Sequence, residues 1–320
     1  MNDSKQAIND RCAGTFLGLA IGDALGAAVE FQPPGSFEPV VDYRGDGPHG
    51  LNPGEWTDDT SMALALADSL ASVHWNLEDQ ADRYLDWMNG GKYSVNGVCF
   101  DIGHTTSSAL MRFEQFRNPR TSGPTDDRLS GNGSIMRLAP IPIYFLNLFP
   151  ESIERLSVYA AESSLPTHAS PKCLSACQYM SLILCGLMSG HDRDAVLAPD
   201  WPPLTELQRV APLDTAIEEV AAGSFRSKSP PEIIGSGYVV QSLEAALWAF
   251  HDASDFREAV LRAVNLGYDT DTTGAVCGQF AGAYWGREGI PASLLKDLAK
   301  REVIEEAIVR LLAQDGSVRG

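Results

Sequence analysis

Two clusters of acidic and hydroxyl side chains stand out, and each immediately precedes a helical pattern. The first is Thr57-Asp58-Asp59-Thr60, and the second is Tyr268-Asp269-Thr270-Asp271-Thr272-Thr273. A further acid, Glu30, follows the first long helical pattern. Asp and Thr are common helix N-caps, and acids suit a first turn. If the clusters meet, however, their carboxylates repel one another and need a cation between them.

The types of these side chains indicate which cation would bind. Every candidate ligand is an oxygen of Asp, Glu or Thr, and the sequence contains no HExxH motif. Hard oxygen ligands favour Mg²⁺, Mn²⁺ or Ca²⁺ over zinc. Four or five acids exceed the charge of one divalent ion, so the count favours a two-metal site.

The second cluster also matches another motif. Its segment 269–273 fits the DxDxT pattern of haloacid-dehalogenase-like phosphatases, in which the first Asp is a nucleophile. That pattern requires an apolar strand before it, but residues 256–265 predict an amphipathic helix. Only 47 residues follow Thr273, too few for the rest of a doubly wound domain. The sequence therefore disfavours the phosphatase interpretation.

The elements that must position these clusters are predicted to be helices, because apolar residues recur every three or four positions. The predicted helices cover residues 10–29, 60–73, 77–88, 105–116, 153–163, 171–188, 204–222, 239–251, 256–265, 272–285 and 294–313. Asn76 and Ser254 are predicted N-caps. Segments rich in Pro and Gly are predicted loops between these helices, at residues 32–54, 118–133, 198–203 and 227–237. The sequence predicts an all-α fold, with one compact domain over residues 1–320 around a central dinuclear metal site.

Two of the predicted helices carry glycine at every fourth position. The glycines are Gly14, Gly18, Gly22 and Gly26 in the first helix, and Gly274, Gly278, Gly282 and Gly286 in the second. A glycine inside a helix costs about 1 kcal/mol relative to alanine. Residues four apart share one helix face, so we expect each glycine face to admit the backbone of a close neighbour in the middle of the bundle.

Composition excludes several classes of protein. The chain has 24 basic and 42 acidic residues, a net charge of −18, which argues against a surface that tracks nucleic-acid phosphates. With 44% hydrophobic residues it has enough apolar mass for a large core. Residues 1–11 do not resemble a signal peptide, and the uncharged run 173–190 is predicted to be a buried helix rather than a membrane span. We expect a cytoplasmic monomer without a membrane partner.

Six motifs, in this order along the chain, resemble those of the ADP-ribosylglycohydrolase family, which includes the dinitrogenase reductase-activating glycohydrolase. They are Gly14 to Glu30 with its Gly-Asp-Ala-Leu-Gly segment, Trp56 to Thr60, Asp101-Ile102-Gly103, Gly131-Asn132-Gly133-Ser134 with Met136-Arg137, Thr167-His168, and Gly267 to Thr273. The resemblance covers nearly the whole chain. It implies an all-α hydrolase with two Mg²⁺ or Mn²⁺ ions that cleaves ADP-ribose from an acceptor.

The resemblance also implies roles for individual residues. The implied metal-holding residues are Thr57, Asp58, Asp59, Asp269, Asp271 and Thr272, with Glu30 beside them. The implied substrate-binding residues are Gly131, Asn132, Gly133 and Ser134, whose backbone amides at a helix start would meet the diphosphate or ribose, His168 near the diphosphate and distal ribose, Gly103 facing the scissile bond with Asp101, His104 near the acceptor, and Tyr238 at the adenosine end. His104 stands where many relatives have Asn.

The implied reaction is hydrolysis of an N- or O-glycosidic bond. Glu30, Asp59 or Asp271 would take the proton of the attacking water, and Asp101 would assist or position the leaving group. We expect the partner to be an ADP-ribosylated protein or conjugate, with arginine favoured over serine, a nucleobase or an acetyl group.

Two non-phosphatase alternatives remain within the same fold. One is a non-enzymatic structural member, as among lens crystallins. The other is an immunity protein that binds an ADP-ribosyltransferase through an insertion such as 118–130.

Overall fold

The computed structural model describes residues 2–314, and among them the regular structure consists of helices without a β-strand. Two isolated bridges join Asp46 to Leu51 and Gly131 to Tyr238. The prediction of an all-α fold is therefore confirmed, and the helices pack around one continuous apolar core.

Seventeen α-helices are present in the described part of the chain. They are α1 (Asn2–Gly26), α2 (Asp58–Val73), α3 (Leu77–Gly90), α4 (His104–Phe116), α5 (Pro119–Ser122), α6 (Pro140–Tyr144), α7 (Ile153–Ser164), α8 (Pro171–Met188), α9 (Arg193–Val196), α10 (Pro202–Val210), α11 (Thr215–Ala221), α12 (Ser224–Ser227), α13 (Val239–Phe250), α14 (Phe256–Val264), α15 (Thr270–Trp285), α16 (Ala292–Asp297) and α17 (Arg301–Leu312). Short 3₁₀ turns occupy Ala27–Val29, Asp127–Leu129 and Leu146–Leu148.

The two glycine-striped helices, α1 and α15, run antiparallel against each other through the centre of the fold. A Cβ added to Gly18 would overlap the carbonyl of Gly278, and one added to Gly22 would overlap the carbonyl of Gly274. The same close approach pairs Gly14 with Gly282. Helices α8, α13 and α14 contact the other faces of α15. The close neighbour expected for each glycine face is thus the other glycine face, and both helices lie in the middle of the fold as predicted.

The long apolar helix at the start of the chain is covered by protein. Within the described residues, Ser4–Val29 is the one segment long and apolar enough to cross a membrane, and 89% of its most apolar window is buried inside the fold. The run 173–190, which the sequence predicted to be buried, falls mainly in α8, and most residues of that helix are buried as well.

Three predicted helix boundaries are wrong, each for a local reason. The predicted helix 204–222 is two helices, α10 and α11, because Pro212 cannot continue a helix and Asp214 caps the second one. The predicted helix 294–313 is also two, α16 and α17, with Lys300 in the left-handed region at a φ of 49° between them. Asp255, not Ser254, caps α14 by accepting from the Glu258 amide. The Asn76 cap of α3 is confirmed.

We predict that Gly18→Ala destabilises the protein, because its Cβ would overlap the Gly278 carbonyl. Overpacking of this kind costs about 1–3 kcal/mol. Gly90→Ala is the matched control, since a Cβ on Gly90 meets nothing within 4 Å. Urea unfolding of both variants measures the difference. Equal free energies of unfolding would show that the two helices do not approach as closely as described.

Candidate metal centre and active-site cleft

The first acidic cluster is anchored by Asp23, a fully buried residue of α1. Its Oδ1 accepts hydrogen bonds from the Thr57 amide (2.8 Å) and hydroxyl (3.0 Å). Its Oδ2 accepts from the Thr60 amide (3.0 Å) and hydroxyl (2.6 Å). Asp23 therefore caps α2 from a neighbouring helix. Asp23 is not among the predicted site residues, although an acid inside a glycine-striped apolar helix indicates a buried group that needs partners.

The two acidic clusters meet beneath the cleft. Thr57 Oγ1 lies 3.2 Å from Asp59 Oδ2 and 3.2 Å from Asp271 Oδ2, and Thr272 Oγ1 lies 3.4 Å from Asp59 Oδ2. The other carboxylate oxygens, Asp59 Oδ1 and Asp271 Oδ1, are buried and have no hydrogen-bond partner among residues 2–314. Ligand atoms of Asp23, Asp59 and Asp271 lie within 4.8 Å of one another. Buried, unpartnered carboxylate oxygens at this spacing fit a hard divalent cation.

Burial and mutual repulsion disfavour the charged forms of these acids. Burial is the main cause that raises the pKa of Asp58, Asp59 and Asp271 well above the usual value, and neighbouring carboxylates raise it further. Burial also raises the pKa of Asp269, and it raises the pKa of Asp23 to about 6 despite four hydrogen bonds. A bound cation would stabilise the charged forms of these carboxylates. The cluster therefore fits a cation.

Above the cluster lies a cleft of about 510 Å³. Most of the predicted site residues line it: Glu30, Asp58, Asp101, Gly103, His104, Gly131, Asn132, Gly133, His168, Asp269, Asp271 and Thr272. Three of the others, Thr57, Asp59 and Ser134, are buried and do not line it, although Thr57 and Asp59 contact its floor. The Tyr238 side chain does not line this cleft; its backbone pairs with Gly131 at the edge.

His49 joins two of the predicted acids and was missed by the sequence analysis. Its Nε2 lies 2.7 Å from Glu30 Oε2 and 3.4 Å from Asp101 Oδ2. Hydrogen bonds to Asp101 and then to Glu30 raise the pKa of His49 to about 10, and burial raises the pKa of Glu30 to about 8. His49 and Glu30 therefore keep their protons at a pH at which each would ordinarily lose its own. No sequence signal marks this histidine, because it lies in the predicted loop 32–54.

The segment Gly131–Ser134 does not open a helix, which corrects the expectation of amides at a helix start. It forms consecutive turns, and the next α-helix begins at Pro140. The Gly131 and Asn132 amides donate to Leu129 and Gly237 carbonyls. The Gly133 and Ser134 amides have no acceptor within the described chain. Two backbone donors, rather than four, are therefore without an acceptor among the described residues, and of these two residues only Gly133 lines the cleft.

Side chains on both sides of this loop complete the cleft. Asn132 Nδ2 donates to Asp269 Oδ2 at 2.9 Å, which ties the loop to the start of α15. His168 is buried with its Nδ1 2.9 Å from Thr167 Oγ1. Burial lowers the pKa of His168 to about 3, so this ring is neutral. On the opposite side, His104 opens α4 with Gly103 as the N-cap, and both are exposed.

Comparisons with known proteins agree with this geometry. The family model for ADP-ribosylglycohydrolase matches residues 4–319. The protein ADP-ribosylarginine hydrolase Tri1 of Serratia proteamaculans is 38% identical over 305 residues, which are 94% of this chain and 79% of that protein. The ADP-ribosyl-[dinitrogen reductase] glycohydrolase of Rhodospirillum rubrum is 29% identical and covers 97% of this chain and 98% of its own length.

A solved structure also resembles this chain throughout. It is described as an ADP-ribosylglycohydrolase-related protein complex, and it superposes with a TM-score of 0.83 at 39% identity, covering 97% of this chain and 99% of its own. The DxDxT phosphatase interpretation is not supported, because α14 rather than a strand precedes Asp269.

We predict that the metal-free protein becomes less stable as the pH rises from about 6.5 to about 8. The folded pKa values of Glu30 and His49, about 8 and about 10, exceed their ordinary values of 4.5 and 6.5. The native state therefore binds more protons than the unfolded state in this range, and the free energy of unfolding falls with rising pH. Thermal melting in chelator measures the slope as a decrease of Tm.

Two variants control this measurement. Glu30→Gln removes one carboxyl whose pKa is raised and should make the decrease of Tm with pH smaller. Glu232→Gln, at an exposed position, should leave the decrease unchanged. A Tm that stays constant or increases over the same range in the wild-type protein would contradict the assignment of the proton to this group.

Proposed function

Because this chain belongs to the ADP-ribosylglycohydrolase family, we propose that it hydrolyses the glycosidic bond between ADP-ribose and the arginine of a modified protein. The observation that carries the proposal is the pair of buried, unpartnered oxygens of Asp59 and Asp271 beneath an open cleft. A merely structural pair of helix caps has no reason to leave them without a partner. The alternative of a non-enzymatic structural member therefore has no support in this cluster.

We propose that the cluster holds two divalent cations, Mg²⁺ or Mn²⁺. The residues that would hold them are Thr57, Asp58, Asp59, Asp269, Asp271 and Thr272, all of which lie at the starts of α2 and α15. When bound, such cations attract sugar hydroxyls and lower the pKa of water. Asp23 contributes by holding Thr57 and Thr60, so it fixes the direction of α2 toward the cluster.

The acids around the cleft take the proton-transfer steps in this proposal. A carboxylate of Glu30, Asp59 or Asp271 accepts the proton of the attacking water. Positive charge develops on the sugar ring in the transition state, and the surrounding carboxylates stabilise it. Asp101 and His49 lie on the Glu30 side of the cleft, where they orient the leaving group.

Charge complementarity favours a cationic acceptor. No Lys or Arg is among the residues that line the cleft, whereas Glu30 and Asp101, two acids outside the proposed cation ligands, do line it. The guanidinium of an arginine conjugate meets these acids favourably, and a serine, nucleobase or acetyl group offers no such charge. The two related proteins named ADP-ribosylarginine hydrolase Tri1, from Serratia proteamaculans and Pseudomonas putida and each 38% identical, support the same acceptor.

We predict that the protein releases free ADP-ribose from ADP-ribosyl-arginine in the presence of Mg²⁺ or Mn²⁺. ADP-ribosyl-serine and ADP-ribosylated DNA lack the guanidinium and should react about tenfold more slowly or slower still. A tenfold change corresponds to about 1.4 kcal/mol in the activation free energy. Chelator should abolish release, and readdition of metal should restore it. Chromatographic measurement of ADP-ribose tests all three. Preference for serine or DNA would overturn the acceptor, and full activity in chelator would overturn the metal requirement.

We predict that Asp271→Asn weakens Mn²⁺ binding by more than about 100-fold, since the loss of an outer-shell partner alone costs roughly 10-fold to 100-fold, and that it abolishes release of ADP-ribose. The amide keeps the shape of the side chain but removes the negative charge that holds the cation. Asp200→Asn, at an exposed position far along the chain from both clusters, is the control. Titration calorimetry gives the affinity. If metal binding and release both survive in Asp271→Asn, the site assignment is wrong.

A further inference from the structure

Arg137 is a buried cation without a counter-ion. Its side chain is 1% exposed, and its guanidinium lies 4.6 Å from the centre of the Tyr84 ring. None of the ion pairs recorded for residues 2–314 includes it. Burying a charge without a counter-ion costs free energy. The hydrogen bonds of Arg137 must offset this desolvation cost.

Those hydrogen bonds go to the two segments that form one wall of the cleft. Nη1 donates to the Gly133 carbonyl at 2.7 Å, and Nη2 donates to Thr167 Oγ1 at 2.6 Å. The Gly133 carbonyl points toward the guanidinium. In a planar trans peptide the carbonyl and the next N–H point in opposite directions, so the Ser134 N–H points away from the guanidinium. Arg137 therefore fixes the orientation of the peptide unit between Gly133 and Ser134.

The hydroxyl of Thr167 determines where the proton of His168 lies. A hydroxyl has one proton to donate, and the oxygen of Thr167 already accepts from Arg137. His168 Nδ1, at 2.9 Å, is the sole acceptor recorded for that proton among the described residues. With the hydroxyl donating to Nδ1, the proton of the neutral ring is on Nε2.

The Nε2 atom of His168 faces the glycine loop and the cleft. A Cβ on Gly133 would lie 2.6 Å from Cε1 and 3.2 Å from Nε2, and a Cβ on Gly131 would lie 3.2 Å from Nε2. Only glycines leave room for the ring here. Nε2 has no partner within the described chain, so its N–H is open to a ligand.

We propose that Arg137 and Thr167 are positioning residues that hold His168 as a neutral ring protonated on Nε2, and that this N–H donates to an anionic oxygen of the bound diphosphate. The identity of the ligand rests on the proposed function; the tautomer does not. Burial and the nearby charge of Arg137 both lower the pKa of His168, which keeps the ring neutral. The arrangement supplies a directed donor to an anion without placing a cation in the cleft.

Long-range ¹H–¹⁵N correlation spectra of the full chain labelled with ¹⁵N-histidine test the tautomer, with His168→Gln to assign the signal. The wild-type ring should carry its proton on Nε2. Thr167→Val, which removes the hydroxyl at nearly constant shape, should lose that pattern, and Thr167→Ser should restore it. A wild-type ring protonated on Nδ1 or on both nitrogens, or an unchanged tautomer in Thr167→Val, would overturn the proposal.

Titration calorimetry with ADP-ribose tests the ligand. Thr167→Val should bind about tenfold more weakly than the wild-type protein, and Thr167→Ser about as tightly. Equal affinity of Thr167→Val, with an altered tautomer, would overturn the role of the N–H in binding. If the wild-type protein does not bind ADP-ribose at all, the proposed function fails, while the spectra still decide the tautomer.

Discussion

The contact between the glycine faces of α1 and α15 is the constraint on which the rest of the structure depends. Since neither face carries a side chain, the backbones approach closely in one register, in which Gly18 lies against Gly278. That register brings the end of α1 to the start of α15, where Thr270 Oγ1 donates to the Gly26 carbonyl at 2.8 Å. Glu30 and Asp269 then necessarily border the same cleft, and Asp23 faces the start of α2.

This convergence concentrates negative charge in a protein that is already strongly acidic. The net charge of −18 cannot attract an anionic dinucleotide. In the proposed function, local features do so instead: the cations proposed for the two acidic clusters, the amide of the cleft-lining Gly133, and the proposed Nε2–H donor of His168. The same proposal makes the acids of the cleft favourable to a cationic acceptor.

The sequence predicted the parts of the site that lie in contiguous motifs. The acidic clusters, the glycine stripes and the helices could each be recognised from residue types and spacings that are close together in the sequence. His49 could not be predicted, because only the path of the loop 32–54 brings it to Glu30. Asp23 stands out in the sequence as a charge in an apolar helix. Its hydrogen-bond partners could not be predicted, because they lie 34 residues or more away along the chain. The helix start expected at Gly131–Ser134 came from the family resemblance, and the chain forms consecutive turns there instead.

The positions of the cations are the most direct test of the metal centre. Anomalous diffraction from crystals grown with Mn²⁺ should show two peaks beneath the cleft, each within ligand distance of carboxylate oxygens from both α2 and α15, including the unpartnered oxygens of Asp59 and Asp271. Ordered side chains of Asp59 and Asp271 with no anomalous peak between them, or peaks confined to the protein surface, would contradict this account.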